Sequence, residues 1–357
     1  MTAVELELLL ESQSLQSYLR RYKSVGRIQK IERIKDNISK NPALHVMVFD
    51  RVSVLIKRTA AAKIESSNLK KKASYFPGFY PEFIDNVGEY ILMEYLSGEN
   101  EYHLQKVRNR KYGLGKIDEE EAFGQYKPKL EHLAKVQTVT SRTKSLKKVN
   151  YASRLEKRLR ENLSGYTSLP VFWVEPLVNA HEELISGTLS QAKQVEYIDA
   201  KLRNWIRCKK VDEENNEVMV PHMSVKSLLE YECSFVPEPV CKNLLSHYLS
   251  NLPIYDEEEY WRIEDYANIQ FHFEKFAYSL RNIYLLLRDS PGLGEDIRIA
   301  LNDNNRHMAR IENSLLRLKH EKGEKRLIGP YESFLDRMRE VDIRQAVEAK
   351  VNRGRTH

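Results

Sequence analysis

The chain has 357 residues, 57 Lys+Arg against 51 Asp+Glu (net charge +6), 41% hydrophobic and 30% charged residues. That apolar share can build a core and excludes wholesale disorder. No run approaches the roughly eighteen apolar residues of a membrane helix, and three cysteines are too few for a disulfide scaffold. Glu5, Glu7 and Glu11 contradict a secretory or mitochondrial leader. Cytoplasm or nucleus, without membrane insertion, is the expected location.

The positive excess is confined to the first two-fifths of the chain, where residues 1–150 hold 27 Lys+Arg and 18 Asp+Glu. Residues 20–72 carry 15 basic and 4 acidic groups, and residues 104–160 carry 16 and 6. Between them, residues 73–103 have six acids and no Lys or Arg. Such segregation marks block patterning.

Taken in order, most segments read with a helical period. Ile28, Ile31, Ile34 and Ile38 form a stripe that stops at Asn41-Pro42. The run from Val46 to Ile56 is β-branched enough to be a strand instead. Tyr75 to Pro81 reads as a turn, followed by a helix with Phe83, Val87, Tyr90, Ile91 and Tyr95 on one face. Residues 112–116 form a loop before the acidic helix start at Asp118. Residues 137–150, polar and basic, are the linker candidate.

Leu189, Ala192, Val195, Ile198, Leu202, Trp205 and Ile206 read as a stripe through five turns. Residues 211–219 form a polar loop. Ser224 is a candidate cap for a short helix, which Pro237 and Pro239 separate from another. The longest helix is expected at 257–288, with Ile263, Tyr266, Gln270, Phe273, Phe276, Leu280, Ile283 and Leu287 buried, ending at Ser290-Pro-Gly292. Met308, Ile311, Leu315 and Leu318 mark the next, and Phe334, Leu335, Met338 and Val341 the last. The expectation is an all-α, multi-helix array or bundle with at most a minor sheet near 43–57. A basic N-terminal domain (1–148) would precede a helical C-terminal domain (149–357).

Familiar catalytic signatures fail. His181-Glu182-Glu183 lacks the second histidine of a zinc-protease helix, because position 185 is Ile. Gly113-Leu-Gly-Lys116 has Arg110 and Ile117 where a phosphate loop needs Gly and Ser or Thr. Cys208, His222, Cys233, Cys241 and His247 lack the close pairs of a structural zinc site. Neither a metal nor a cofactor is expected. The aromatics from Tyr260 to Tyr284 read as helix core more readily than as a partner groove.

The basic blocks carry the functional expectation. Arg20, Arg21, Tyr22, Lys23 and Arg27, then Lys70, Lys71 and Lys72, make the first. Arg108, Arg110, Lys111, Tyr112 and Lys116, with Arg142, Lys144, Lys147 and Lys148, make the second. Cations that neutralise phosphates gain affinity by counterion release, and the two tyrosines offer stacking faces. The expectation is a non-catalytic protein that binds RNA or DNA backbone and assembles with itself or a protein partner through its C-terminal helices. The alternative is a scaffold or complex subunit whose basic surface meets an acidic protein. An enzyme whose site residues are brought together only by folding is a third reading.

Overall fold

The computed structural model describes residues 2–34, 44–141, 146–163, 174–206, 209–210, 217–231, 236–289 and 295–340. The chain forms two compact units, one of residues 1–136 with 198–216 and the other of residues 137–197 with 217–357.

The first unit is built on a five-stranded antiparallel sheet, which overturns the all-α expectation. Its strands are β1 (Ile28–Ile34), β2 (Leu44–Phe49), β3 (Ser53–Arg58), β4 (Phe83–Val87) and β5 (Tyr90–Glu94), in spatial order β1-β2-β3-β5-β4. Two helices, α1 (Ala3–Leu10) and α2 (Gln13–Arg21), cover one face. There Leu9, Leu15, Tyr18 and Leu19 pack with Met47, Phe49, Val54, Ile56 and Leu92. Helix α3 (Ala62–Tyr75) covers the other, where Leu69 meets Ile91 and Met93. Alternate residues of the strands thus face opposite cores, so β5 is apolar from Tyr90 to Met93 and carries no period-2 signal.

Two misread periods explain the difference. In β1 the ladder shifts between Ile28 and Lys30. A bulge of this kind lets residues three apart share a face, and imitates a helical stripe. The stretch 83–94 is a hairpin rather than a helix. Gly88 turns it at φ +60°, and Asn86 Nδ2 braces the turn through the carbonyls of Gly88 and Tyr90. The strand anticipated at 43–57 is real, but it is two strands of a larger sheet.

Three helices complete the chain's first run through this unit: α4 (Glu101–Gly113), α5 (Glu119–Phe123) and, up to Val136, α6 (Tyr126–Thr140). Asp118 caps α5 by accepting from the Glu121 N–H at 2.8 Å. The unit closes with a short hairpin of β8 (Trp205–Ile206) and β9 (Lys209–Lys210).

The second unit is helical around a small sheet of β6 (Lys147–Lys148), β7 (Val195–Glu196) and β10 (Glu217–Met219). Its helices are α7 (Tyr151–Leu163), α8 (Val174–His181), α9 (Gly187–Gln191), α10 (His222–Leu229), α11 (Glu238–Ser250), α12 (Glu257–Arg262), α13 (Glu264–Asp289), α14 (Glu295–His320) and α15 (Gly329–Glu340). The expected long helix is present as α12 and α13, separated at Ile263. Phe273, Phe276, Leu280 and Ile283 lie in its core with Ile311, Leu315, Phe334 and Leu335. The five-turn stripe at 189–206 does not form one helix: α9 ends at Gln191 and an extended chain follows. Ile38, Leu287, Ser290 to Gly292 and Val341 fall outside the described residues or side chains. Among the described residues no helix is long and apolar enough to cross a membrane.

Candidate active site

The most unusual charges of the first unit sit inside it. Strand β3 runs Ser-Val-Leu-Ile-Lys-Arg, and its Lys57 is almost wholly buried. The Lys57 Nζ reaches Glu65 Oε1 of α3 at 2.6 Å, and both side chains are under a tenth exposed. Desolvating two charges is expensive, so a buried pair is retained where its geometry and specificity matter. The sequence supplies the placement. A buried ammonium needs a carboxylate, and the first turn of the helix after β3 delivers one.

The second constellation is Asp199-Ala-Lys-Leu-Arg-Asn204, just before the β8–β9 hairpin. A single 3₁₀ turn over Leu202–Asn204 folds it back on itself. Asn204 is buried, its N–H donates to the Lys201 carbonyl, and its Nδ2 donates to the Asp199 carbonyl at 2.9 Å. The amide nitrogen is thereby used internally, which leaves Oδ1 as the acceptor end. Lys201 Nζ lies 2.9 Å from Asp199 Oδ2. The Trp205 indole N–H donates to the Ala200 carbonyl at 3.0 Å. Asp199, Lys201 and Asn204 are thus tied to one another within the loop, while Arg203 lies over the Tyr102 ring.

The hairpin is held within the same unit. The Lys210 N–H donates to the Phe79 carbonyl at 2.9 Å, and Lys209 Nζ meets Glu94 Oε2 at 2.7 Å. His132 of α6 stacks on Phe79 with centroids 4.2 Å apart and meets Trp205 edge-on at 5.8 Å. The loop bearing Asp199 and Asn204 therefore leads directly into a cluster of Trp205, His132 and Phe79.

The cations expected to form one surface are distributed otherwise. Arg20 and Arg21 end α2, with Tyr22, Lys23 and Arg27 following. Arg21 is ion-paired with Glu82 and lies over the Tyr18 ring, while Tyr22 packs against Tyr18. Lys70, Lys71 and Lys72 are on α3, across the sheet, and Lys72 is buried. The first block is thus split between opposite faces. Arg108 pairs with Glu101 at 3.1 Å, and Tyr112 packs edge-on against Phe123. Arg110 and Lys111 occupy the last turn of α4, and Lys116 follows the turn at Gly115. Lys147 and Lys148 are exposed on β6 in the second unit. Arg142 and Lys144 lie outside the described residues, as do Cys208 and Cys233. Among the described residues no three His, Cys, Asp or Glu side chains gather as a metal site.

Neither a family model nor a curated protein matches the sequence. Solved structures do match the fold. A choline kinase of Cryptosporidium parvum is similar at 12% identity and TM-score 0.52, over 90% of this chain and 98% of that one. A choline/ethanolamine kinase family protein of Mesorhizobium loti is similar at 12% identity and TM-score 0.51, over 84% and 95%. A candidate aminoglycoside phosphotransferase of Ralstonia eutropha is similar at 11% identity and TM-score 0.51, over 85% and 96%. The fold is that of the kinase-like phosphotransferases. This finding overturns the reading of a non-catalytic helical binder of RNA or DNA, along with the expectation that the chain is not an enzyme.

Proposed function

We propose that the protein is a phosphotransferase that moves the terminal phosphoryl group of a nucleoside triphosphate to a hydroxyl of a small molecule. The observation that carries this reading is the buried Lys57–Glu65 pair between β3 and α3. In kinase folds a strand lysine, oriented by a helix glutamate, contacts the phosphates. Asp199 and Asn204 have the spacing of a catalytic loop, in which the aspartate accepts the substrate hydroxyl proton and the asparagine holds a divalent cation. Tyr197 stands where that motif commonly has histidine.

The described donors suit such a cation: Asn204 Oδ1 and the Asp199 carboxylate are hard oxygen ligands. Bound magnesium neutralises charge on the phosphates. The chain's own part is orientation. Glu65 directs the Lys57 ammonium, Lys201 holds the Asp199 carboxylate, and the internal bond of Asn204 leaves its oxygen as the acceptor end. The next acids in sequence, Asp212, Glu213 and Glu214, lie outside the described residues.

One departure sets the chain apart from protein kinases. No glycine occurs between Gly26 and Gly78, so the connection between β1 and β2 cannot be glycine-rich. Such a loop covers the phosphates in protein kinases.

Titration with ATP and Mg²⁺, followed by a phosphoryl-transfer screen over choline, ethanolamine and aminoglycosides, tests this reading. Transfer that Asp199→Asn abolishes while ATP binding persists supports it. Binding without transfer to any acceptor, or absence of ATP binding at millimolar concentration, overturns it.

A further inference from the structure

The edge strand β1 is open in a way the opposite edge is not. Strand β4 is flanked by α2 and α3, with Ser12 hydrogen-bonded to Asp85 and Arg21 paired with Glu82. From Gln29 to Ile34, β1 is exposed at every residue, including Ile31 and Ile34. Its ladder to β2 uses one edge, and the other edge meets no strand among the described residues. An uncovered row of backbone N–H and C=O groups is a template for another strand.

The side chains select the occupant. The sequence Gln29-Lys-Ile-Glu-Arg33 is self-complementary in antiparallel sense about Ile31. With Ile31 opposite its own copy, Lys30 stands opposite Glu32 and Glu32 opposite Lys30, while Gln29 faces Arg33. Lys30 and Glu32 pair with Val48 and Val46 of β2, so both lie on one face of the sheet. A two-fold axis normal to the sheet keeps them there, where they already form an ion pair within the strand. Charges of one sign along an edge would repel a second copy. This alternation attracts one, in one register. Cross-strand opposite charges stabilise a sheet pair, and like charges directly opposite destabilise it.

We propose that β1 pairs antiparallel with β1 of a second copy, in the register that places Ile31 opposite Ile31, to form a two-fold dimer with a continuous ten-stranded sheet. The Lys30–Glu32 crossings, made twice by symmetry, set the register.

Sedimentation velocity of the full chain over roughly 1–300 µM, a range suited to an interface this small, should show the mass rise from monomer to dimer. Lys30→Glu places carboxylates opposite each other at both crossings, and Glu32→Lys does the same with ammonium groups. Each variant alone should dimerise at least about tenfold more weakly. Mixing the two variants restores opposite charges at both crossings, so the mixture should form heterodimers with wild-type affinity or better. The doubly swapped chain should recover too. Circular dichroism checks that each variant is folded, and recovery on mixing cannot come from a misfolded variant. A chain monomeric throughout the range overturns the proposal. So does a dimer indifferent to both reversals, or reversals that weaken dimerisation without recovery in the mixture.

Discussion

At the scale of single residues, the Lys57–Glu65 contact joins stability to chemistry. Removing one partner of a buried pair strands the other charge and costs about 3–5 kcal/mol. Lys57→Met should therefore lower the denaturant midpoint as well as remove ATP binding. Glu65→Gln keeps the shape and a hydrogen-bonding group but loses the charge. It should leave the ammonium less well aimed and lower the transfer rate more than it lowers stability. A Glu65→Gln protein with wild-type transfer would remove this pair from the site. The legible part was narrow. Lys57 was countable only as one of fifteen basic residues, although its place directly after a β-branched run set it apart. Asp199 and Asn204 were hidden by Ile198, Leu202 and Trp205, whose burial imitates a helical stripe while serving a folded-back loop. The five-residue step from Asp199 to Asn204 was the available signal.

At the scale of elements, helices of the second unit followed their apolar period because each buries one continuous face. The sheet did not, because its strands are buried on two faces or bulged. The core face of α13 leads to a direct expectation: Phe273→Ala and Phe276→Ala should each cost about 3–5 kcal/mol in urea unfolding. Near-neutral values at both would mean that this face is not core. The same packing makes the unit acid-sensitive. His181 is fully buried, its Nε2 2.6 Å from Gln270 Oε1 and its Nδ1 3.1 Å from the Tyr331 hydroxyl. Burial pushes its imidazole down from 6.5 to about 4. Burial likewise depresses His222, His272 and His307. The unfolded chain therefore takes up protons below pH 6.5 that the folded chain refuses, at His181 until near pH 4. Stability should fall as pH drops through that window, by about 3 kcal/mol for His181 alone. Urea midpoints at pH 7, 6 and 5 measure it, and a flat profile would contradict neutral burial.

At the scale of the whole molecule, the chain completes its first unit only after leaving it. Residues 1–136 supply the sheet and its covering helices, and residues 198–216 return later to the same unit. What returns is not ornamental. Trp205 is 1% exposed, and the Phe79 carbonyl takes its hydrogen bond from Lys210. Asn100 bridges to Ile206. A fragment of residues 1–136 loses the tryptophan's burial and leaves the Phe79 carbonyl and the His132 ring without these partners. Deleting a buried tryptophan side chain alone costs about 3–5 kcal/mol, a large part of what small domains possess. The fragment should therefore unfold non-cooperatively or aggregate. The same fragment joined through a flexible Gly/Ser linker to residues 198–216 should melt cooperatively. Trp205→Ala in the full chain should reproduce most of the loss, since it removes the buried ring and leaves the backbone bond at Lys210 in place. Equal thermal midpoints for the fragment with and without residues 198–216 would show that the returning segment does not support the sheet. The Asp199–Asn204 loop would then be held by contacts other than those to Phe79, Glu94 and His132.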